Sequence, residues 1–147
     1  MSTPEAIAAP STQLPPTPPA RTSQSVLLVE DDPALRRYLQ VILERAGYEV
    51  LVASDGLEAM KVALSSEVRA VVTDAIMPHL GGLELCRFLR RHPQLKSLPV
   101  LLLSGVELPA PLPEGGEWPD SYLSKPVRAG ELTECVGRLL DDDRQHA

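Results

Sequence analysis

Side chains that suit metal and phosphate chemistry follow the ends of four short runs of strand-forming residues. The set comprises Glu30, Asp31, Asp32, Asp74, Ser104 and Lys125. The carboxyl ends of parallel strands lie at one edge of a sheet, so we expect these side chains to meet there. Several carboxylates held together repel one another unless a cation joins them. Hard oxygen ligands with open positions suit Mg²⁺, which usually takes one or two carboxylates and keeps several waters.

With a cation bound, one of these carboxylates can stay ionised and attack phosphorus to form an aspartyl phosphate. The hydroxyl of Ser104 and the ammonium of Lys125 can then bind the oxygens of the transferred group. The residue types therefore predict phosphoryl transfer at this edge of the sheet.

The elements that position these side chains alternate along the chain. Apolar runs typical of strands buried on both faces of a parallel sheet occupy residues 26–29, 68–73 and 98–103, with shorter candidates at 48–53 and 121–124. Helical patterns fall at residues 33–46, 55–66, 82–92 and 129–140. Asp32 suits the cap of the first helix, with Pro33 at its first position. This alternation predicts an α/β fold with a doubly wound, five-stranded parallel sheet.

The composition changes at both ends of this pattern. Residues 1–24 are rich in Pro, Ala, Ser and Thr, which predicts a disordered tail because such a segment buries too little apolar surface to offset its ordering entropy. Residues 25–140 contain the α/β pattern. The acidic run that begins at Asp141 predicts a solvated C-terminal tail over residues 141–147.

Charge and composition exclude several classes of protein. The net charge of −6 argues against nucleic acid as a direct partner, because phosphate backbones select for basic patches. No stretch approaches the ~20 apolar residues that cross a bilayer, and the N-terminus lacks the basic and apolar regions of a secretory signal. Cys86 and Cys135 have neither paired nor clustered spacing. We therefore expect a cytoplasmic protein without membrane contact.

Four segments resemble the receiver domain of bacterial response regulators, of the chemotaxis-regulator type. In chain order they read VLLVEDDPALRRYL, VVTDAIMPHLGGLEL, VLLLSG and YLSKPV. The resemblance covers about residues 25–140. It implies a flavodoxin-like fold of five βα units and a phosphorylation switch in a two-component phosphorelay. It also implies Mg²⁺ as the cofactor and a histidine kinase or histidine phosphotransfer protein as the phosphoryl donor.

The resemblance assigns roles to individual residues, with Asp74 as the phosphorylated aspartate. It assigns magnesium binding to Glu30, Asp31, Asp74 and the backbone carbonyl of Ile76. It assigns phosphate contact and switching to Ser104, Lys125 and Tyr122. Glu30 stands where the family has aspartate, and its extra methylene allows contact with the ion through water. Pro126 matches a proline whose preceding peptide bond is often cis in the family.

The chain departs from the family between Ser104 and Tyr122, where a fourth helix is usual. The segment is rich in helix breakers, namely Pro109, Pro111, Pro113, Pro119, Gly115 and Gly116. An interior proline costs a helix ~3 kcal/mol and a glycine ~1 kcal/mol. We therefore predict that the fourth helix is degenerate or missing and that an irregular loop replaces it, which puts the family's usual output surface in doubt.

Three functions compete. A phosphoacceptor receiver accounts for the full residue set, and we expect it to signal by protein–protein contact, with no DNA-binding or enzymatic module after Ala147. The alternative is a pseudo-receiver that keeps the fold without phosphorylation, because the fourth-helix region is altered. A phosphatase resembling the haloacid dehalogenase group is disfavoured, because that group places Asp-x-Asp after the first strand, where this chain has Glu30-Asp31-Asp32-Pro33. The sequence thus predicts a signalling domain and not an enzyme, with a downstream protein target that it does not name.

Overall fold

A five-stranded parallel sheet with helices on both faces forms the domain. The structure, a computed structural model, describes residues 24–105 and 116–145. Its elements are β1 (Ser25–Val29), α1 (Pro33–Arg45), β2 (Glu49–Ala53), α2 (Gly56–Ser65), β3 (Ala70–Asp74), α3 (Gly82–Arg91), β4 (Val100–Ser104), β5 (Ser121–Ser124) and α4 (Ala129–Gln145). The strand order is β2-β1-β3-β4-β5, and every neighbouring pair is parallel. The predicted doubly wound α/β fold is confirmed.

Alternate residues of each inner strand point to opposite faces and build two separate cores. On β1, Val26 and Leu28 pack in the cluster that α1 and α4 cover. Leu27 and Val29 pack in the cluster that α2 and α3 cover. Successive strand side chains alternate between faces, so a strand with both faces covered must be apolar at every position. This is why β1, β3 and β4 read as continuous apolar runs.

The start of α1 follows the sequence prediction closely. Asp32 is the N-cap, and its side chain accepts a hydrogen bond from the backbone N–H of Ala34 at 3.0 Å. Pro33 occupies the first helical position, where its missing N–H costs no helical hydrogen bond. The cap therefore fixes the point at which the chain leaves the acidic segment after β1.

Most element boundaries differ from the prediction by one or two residues, and the end of the last helix differs by five. β4 begins at Val100 and not at Leu98, because the Leu98 N–H already donates to Leu95 O in a turn, at 3.0 Å. α4 continues to Gln145, five residues past the predicted end at Leu140. No proline or glycine lies between Arg138 and Gln145, so nothing in the backbone chemistry stops the helix within the acidic run.

Two sequence predictions fall outside the described residues. The disordered tail was predicted for residues 1–24, of which the structure describes only Gln24. The irregular loop in place of the fourth helix falls mainly on residues 106–115, which are also outside the described part. Within the described part there are four helices, and neither Gly105 nor residues 116–120 are helical.

Two further observations concern the cysteines and the length and hydrophobicity of the helices. Cys86 and Cys135 are both buried free thiols, on α3 and α4 respectively. Within residues 24–105 and 116–145, no helix is both long and apolar enough to cross a membrane.

Gly82 brings the start of α3 against the end of β3. A Cβ atom built on Gly82 would lie 2.2 Å from the backbone oxygen of Asp74 and 2.8 Å from Cδ1 of Leu102. The Gly82 N–H also donates to Ala75 O, at 2.9 Å. Only a residue without a side chain permits this approach, so Gly82 sets the position of the backbone that carries Asp74.

We predict that Gly82→Ala lowers the free energy of unfolding by about 2–3 kcal/mol, because the added methyl overpacks this junction. Gly137→Ala is the matched control, since its Cβ would meet only the Tyr48 hydroxyl, at 3.8 Å. That change lies inside α4 and is expected to stabilise the protein by up to ~1 kcal/mol. Urea unfolding measures both, and equal effects of the two substitutions would contradict the assigned role of Gly82.

Candidate functional site

Three carboxylates converge at the carboxyl ends of two neighbouring strands. Glu30 and Asp31 follow β1, Asp74 ends β3, and Val29 pairs with Thr73 in the register between these strands. One carboxylate oxygen from each of the three acids lies within 4.8 Å of the others. Glu30 is 1% exposed and Asp74 6%, whereas Asp31 is open to solvent. The structure thus brings together the three acids that the sequence placed at this edge.

The Glu30 side chain has one oxygen with a partner and one without. Its Oε2 accepts a hydrogen bond from the backbone N–H of Asp32 at 3.2 Å. Its Oε1 is buried and has no hydrogen-bond partner among the described residues, and the nearest opposite charge is Nζ of Lys125, 3.7 Å away. A buried carboxylate oxygen without a hydrogen-bond partner destabilises the folded protein. A divalent cation between the acids would supply the missing partner, so the donor set fits a hard cation such as Mg²⁺.

The carboxylate of Asp74 is fixed from two sides. Its Oδ1 accepts a hydrogen bond from the Ala75 N–H at 3.0 Å and pairs with Nζ of Lys125 at 2.9 Å. The neighbouring Thr73 hydroxyl donates to the backbone oxygen of Asp74 at 3.0 Å. The side chain therefore has a defined orientation toward the acidic cluster.

Lys125 lies directly after β5, and the Lys125–Pro126 peptide bond is cis, as the sequence suggested. Burial by itself lowers the pKa of the Lys125 ammonium. The hydrogen bond to Asp74 and the negative charges of Asp74 and Glu30 outweigh this effect, so the pKa of Lys125 is raised. The ammonium therefore stays protonated and balances part of the negative charge of the cluster.

The remaining predicted site residues lie around the same edge. Ser104 ends β4, one residue beyond Leu103, which is the register partner of Asp74, and the backbone oxygen of Ser104 accepts a hydrogen bond from the Lys125 N–H at 2.8 Å. Tyr122 is half-buried on β5, opposite Leu102. Ile76 lies two residues beyond Asp74 in the loop before α3, with its side chain 71% exposed.

A residue outside the predicted set also shapes this edge. His79 adopts a positive φ of 71°, and its Nδ1 lies 2.9 Å from Oδ2 of Asp55. Asp55 caps α2 by accepting from the Glu58 N–H at 2.9 Å. The pair therefore ties the loop that follows Asp74 to the start of α2. No spacing rule reveals this contact, because it joins residues 24 positions apart.

This arrangement defines a carboxylate cluster with a paired lysine, at the carboxyl edge of a doubly wound sheet. Residues 26–137 match the response regulator receiver domain family. The alkaline phosphatase synthesis transcriptional regulatory protein PhoP of Bacillus subtilis is 34% identical over an alignment of 128 residues, and the match covers 80% of this chain and 49% of that protein. The response regulator MprA of a Mycobacterium species is 40% identical over 119 residues, 78% of this chain and 50% of that protein. The chain spans about half the length of these curated relatives.

Solved structures show the same fold. The chemotaxis response regulator CheY4 of Vibrio cholerae superposes with a TM-score of 0.74 at 32% identity, covering 81% of this chain and 100% of that chain. The receiver domain of the sensor histidine kinase PA1611 of Pseudomonas aeruginosa has a TM-score of 0.73 at 27% identity, covering 82% and 99%, and that structure has a magnesium ion coordinated in its active site cleft. This chain belongs to the response regulator receiver domain family, whose members are signalling modules of two-component phosphorelays.

Burial of Glu30 is the main cause that raises its pKa from 4.5 to about 7. The charge of Asp74 adds to the shift, whereas the Asp32 N–H and Lys125 oppose it. Between pH 4.5 and 7 the folded protein therefore binds more protons at this residue than the unfolded chain does. The contribution of Glu30 to stability is largest at acidic pH and is lost as the pH rises through about 7.

We predict that Glu30→Gln removes this pH dependence in protein freed of divalent metal. The free energy of unfolding of the variant minus that of wild type should rise by on the order of 2–3 kcal/mol from pH 4.5 to pH 8. Urea unfolding in the presence of a chelator at both pH values measures the change. If the difference in free energy of unfolding between wild type and variant does not vary with pH, the pKa of Glu30 is not raised by folding.

Proposed function

We propose that this chain accepts a phosphoryl group on Asp74 from a phosphohistidine of a histidine kinase or a histidine phosphotransfer protein, and that Mg²⁺ is required. The observation that carries the proposal is the placement of the Asp74 carboxylate. It is nearly buried, 2.9 Å from the ammonium of Lys125, and within 4.8 Å of ligand oxygens of Glu30 and Asp31. A nucleophilic carboxylate, a cation site and an ammonium are the parts that phosphoryl transfer needs.

The residues proposed to hold Mg²⁺ are Glu30, Asp31, Asp74 and the backbone carbonyl of Ile76. The unpartnered Oε1 of Glu30 supports this assignment, as does the spacing of the three acids. When bound, the ion would neutralise the mutual repulsion of the carboxylates and the charge of the phosphoryl oxygens.

In the transfer step, a carboxylate oxygen of Asp74 forms a bond to phosphorus as the bond between phosphorus and the donor imidazole nitrogen breaks. The electron pair of the broken bond stays on the imidazole, and the product is an aspartyl phosphate. Lys125 is already paired with Asp74, so its ammonium is in reach of the oxygens of the group that arrives there. Its raised pKa keeps it charged for this contact.

The phosphorylated state is proposed to be read through Ser104 and Tyr122. Ser104 is buried one strand from Asp74, a position from which its hydroxyl would bond to a phosphoryl oxygen. Tyr122 is half-buried on the neighbouring strand, at the edge of the sheet, where a change of its rotamer would alter the outer surface. Output would pass by contact with a downstream protein in the cytoplasm, without direct contact with nucleic acid or membrane.

The test is phosphorylation by acetyl phosphate with and without Mg²⁺, read by intact mass. Wild type should gain the mass of one phosphoryl group only with Mg²⁺, and Asp74→Asn should gain none. Asp32→Asn is the matched control, because asparagine caps a helix as well as aspartate does and Asp32 is outside the carboxylate cluster. That variant should take up phosphate like wild type. Absence of uptake by wild type with Mg²⁺ would favour a pseudo-receiver.

A further inference from the structure

Arg36 contacts the backbone of the acidic segment from the second turn of α1. Its guanidinium Nη1 donates a hydrogen bond to the backbone oxygen of Glu30 at 2.8 Å, and the contact is partly buried. The Arg36 side chain is half-buried, whereas the next residue on the helix, Arg37, is exposed. The position of Arg36 thus differs from that of an ordinary solvated helix arginine.

The bonded oxygen belongs to the peptide group that joins Glu30 to Asp31. Because that group is planar, fixing its carbonyl also fixes the direction in which the chain enters Asp31. The other backbone group of Glu30 is already held, since its N–H donates to Ala53 O at 3.0 Å. Arg36 therefore completes the backbone anchoring between the buried and the exposed acid of the cluster.

The backbone of Arg36 is itself fixed by the first turn of α1. Its backbone N–H donates to Asp32 O at 2.8 Å, within the capped first turn of α1. Its guanidinium also acts on Glu58, at the start of α2. Hydrogen bonds from Ser54 are the main cause that lowers the pKa of Glu58, and the charge of Arg36 adds to this effect. A guanidinium that extends from a fixed helical turn is preorganised to orient the Glu30 carbonyl.

We propose that Arg36 is a positioning residue for the divalent cation, which it serves by orienting the peptide between Glu30 and Asp31. The inference rests on the cation site of the proposed function. Without Arg36 this peptide would reorient in solvent, and the two acids would have to be ordered when the ion binds. If Arg36 positions the peptide, its loss should change the Mg²⁺ affinity in the opposite direction from the loss of a merely repulsive charge. Neutralising a nearby cation should tighten Mg²⁺ binding by relieving repulsion, whereas loss of positioning should weaken it.

The experiment compares Mg²⁺ binding to wild type, Arg36→Gln, Arg36→Lys and Arg37→Gln, by titration of the backbone amide signals of Glu30 and Asp31. Arg36→Gln should bind Mg²⁺ about tenfold more weakly, the effect of one hydrogen bond from a charged group. Arg37→Gln removes the same charge from an exposed neighbouring position, and its affinity should equal or slightly exceed that of wild type. Arg36→Lys retains a donor but not the planar guanidinium, so its affinity should lie between those of Arg36→Gln and wild type.

The second readout is the rate of phosphorylation by acetyl phosphate as a function of Mg²⁺ concentration. For Arg36→Gln, the half-saturating Mg²⁺ concentration should rise by the same factor while the maximal rate stays within about twofold of wild type. Equal or tighter Mg²⁺ binding by Arg36→Gln would overturn the inference, and so would a loss of maximal rate with unchanged binding. If Arg36→Gln fails to fold, Arg36→Lys is the test variant. A Mg²⁺ affinity of Arg36→Lys equal to that of wild type would then overturn the inference. Failure of the proposed function gives a different result from failure of this inference. In that case wild type would take up no phosphate, although the Mg²⁺ affinities of wild type and the variants could still be compared.

Discussion

The rest of the site depends on the repulsion between carboxylates that two neighbouring strands deliver to one place. Glu30 and Asp74 are both nearly buried, and the charge of Asp74 adds to the burial that raises the pKa of Glu30. Lys125 compensates part of this charge through its contact with Asp74, but it leaves one oxygen of Glu30 without a hydrogen bond among the described residues. The carboxylate cluster therefore favours the approach of a further positive charge. The cation binding and the phosphoryl acceptance that we propose both depend on this imbalance.

The fold maintains the repulsion by fixing the backbone at each acid. Gly82 allows α3 to approach the Asp74 carbonyl more closely than any side chain would permit. Asp32 caps α1 directly after the two acids of β1, and Arg36 holds the peptide between those acids. With the backbone anchored in this way, the acids cannot separate to relieve their repulsion. Relief of that repulsion would then favour binding of the proposed ion.

The sequence predicted the fold class and the convergence of the acids, for a simple physical reason. Strands with both faces covered must be apolar throughout, so their limits are visible, and parallel strands deliver their next residues to one edge. What it did not reveal are contacts of long side chains with distant backbone or side-chain atoms. The bond from Arg36 to the Glu30 carbonyl and the pair of His79 with Asp55 follow from the packing of loops and leave no periodic signal. The extension of α4 through Gln145 was missed because an acidic run was interpreted as a tail, although nothing in it breaks a helix.

The central claim is that Glu30, Asp31 and Asp74 share one divalent cation. A crystal structure grown with Mn²⁺ in place of Mg²⁺ tests it most directly, because the anomalous scattering of manganese marks the ion independently of the refined atoms. We expect one strong peak among these three carboxylates, bonded to oxygens of Asp31 and Asp74, with Glu30 contacting the ion directly or through water. A peak at another place on the protein, or none at this edge at saturating Mn²⁺, would contradict it.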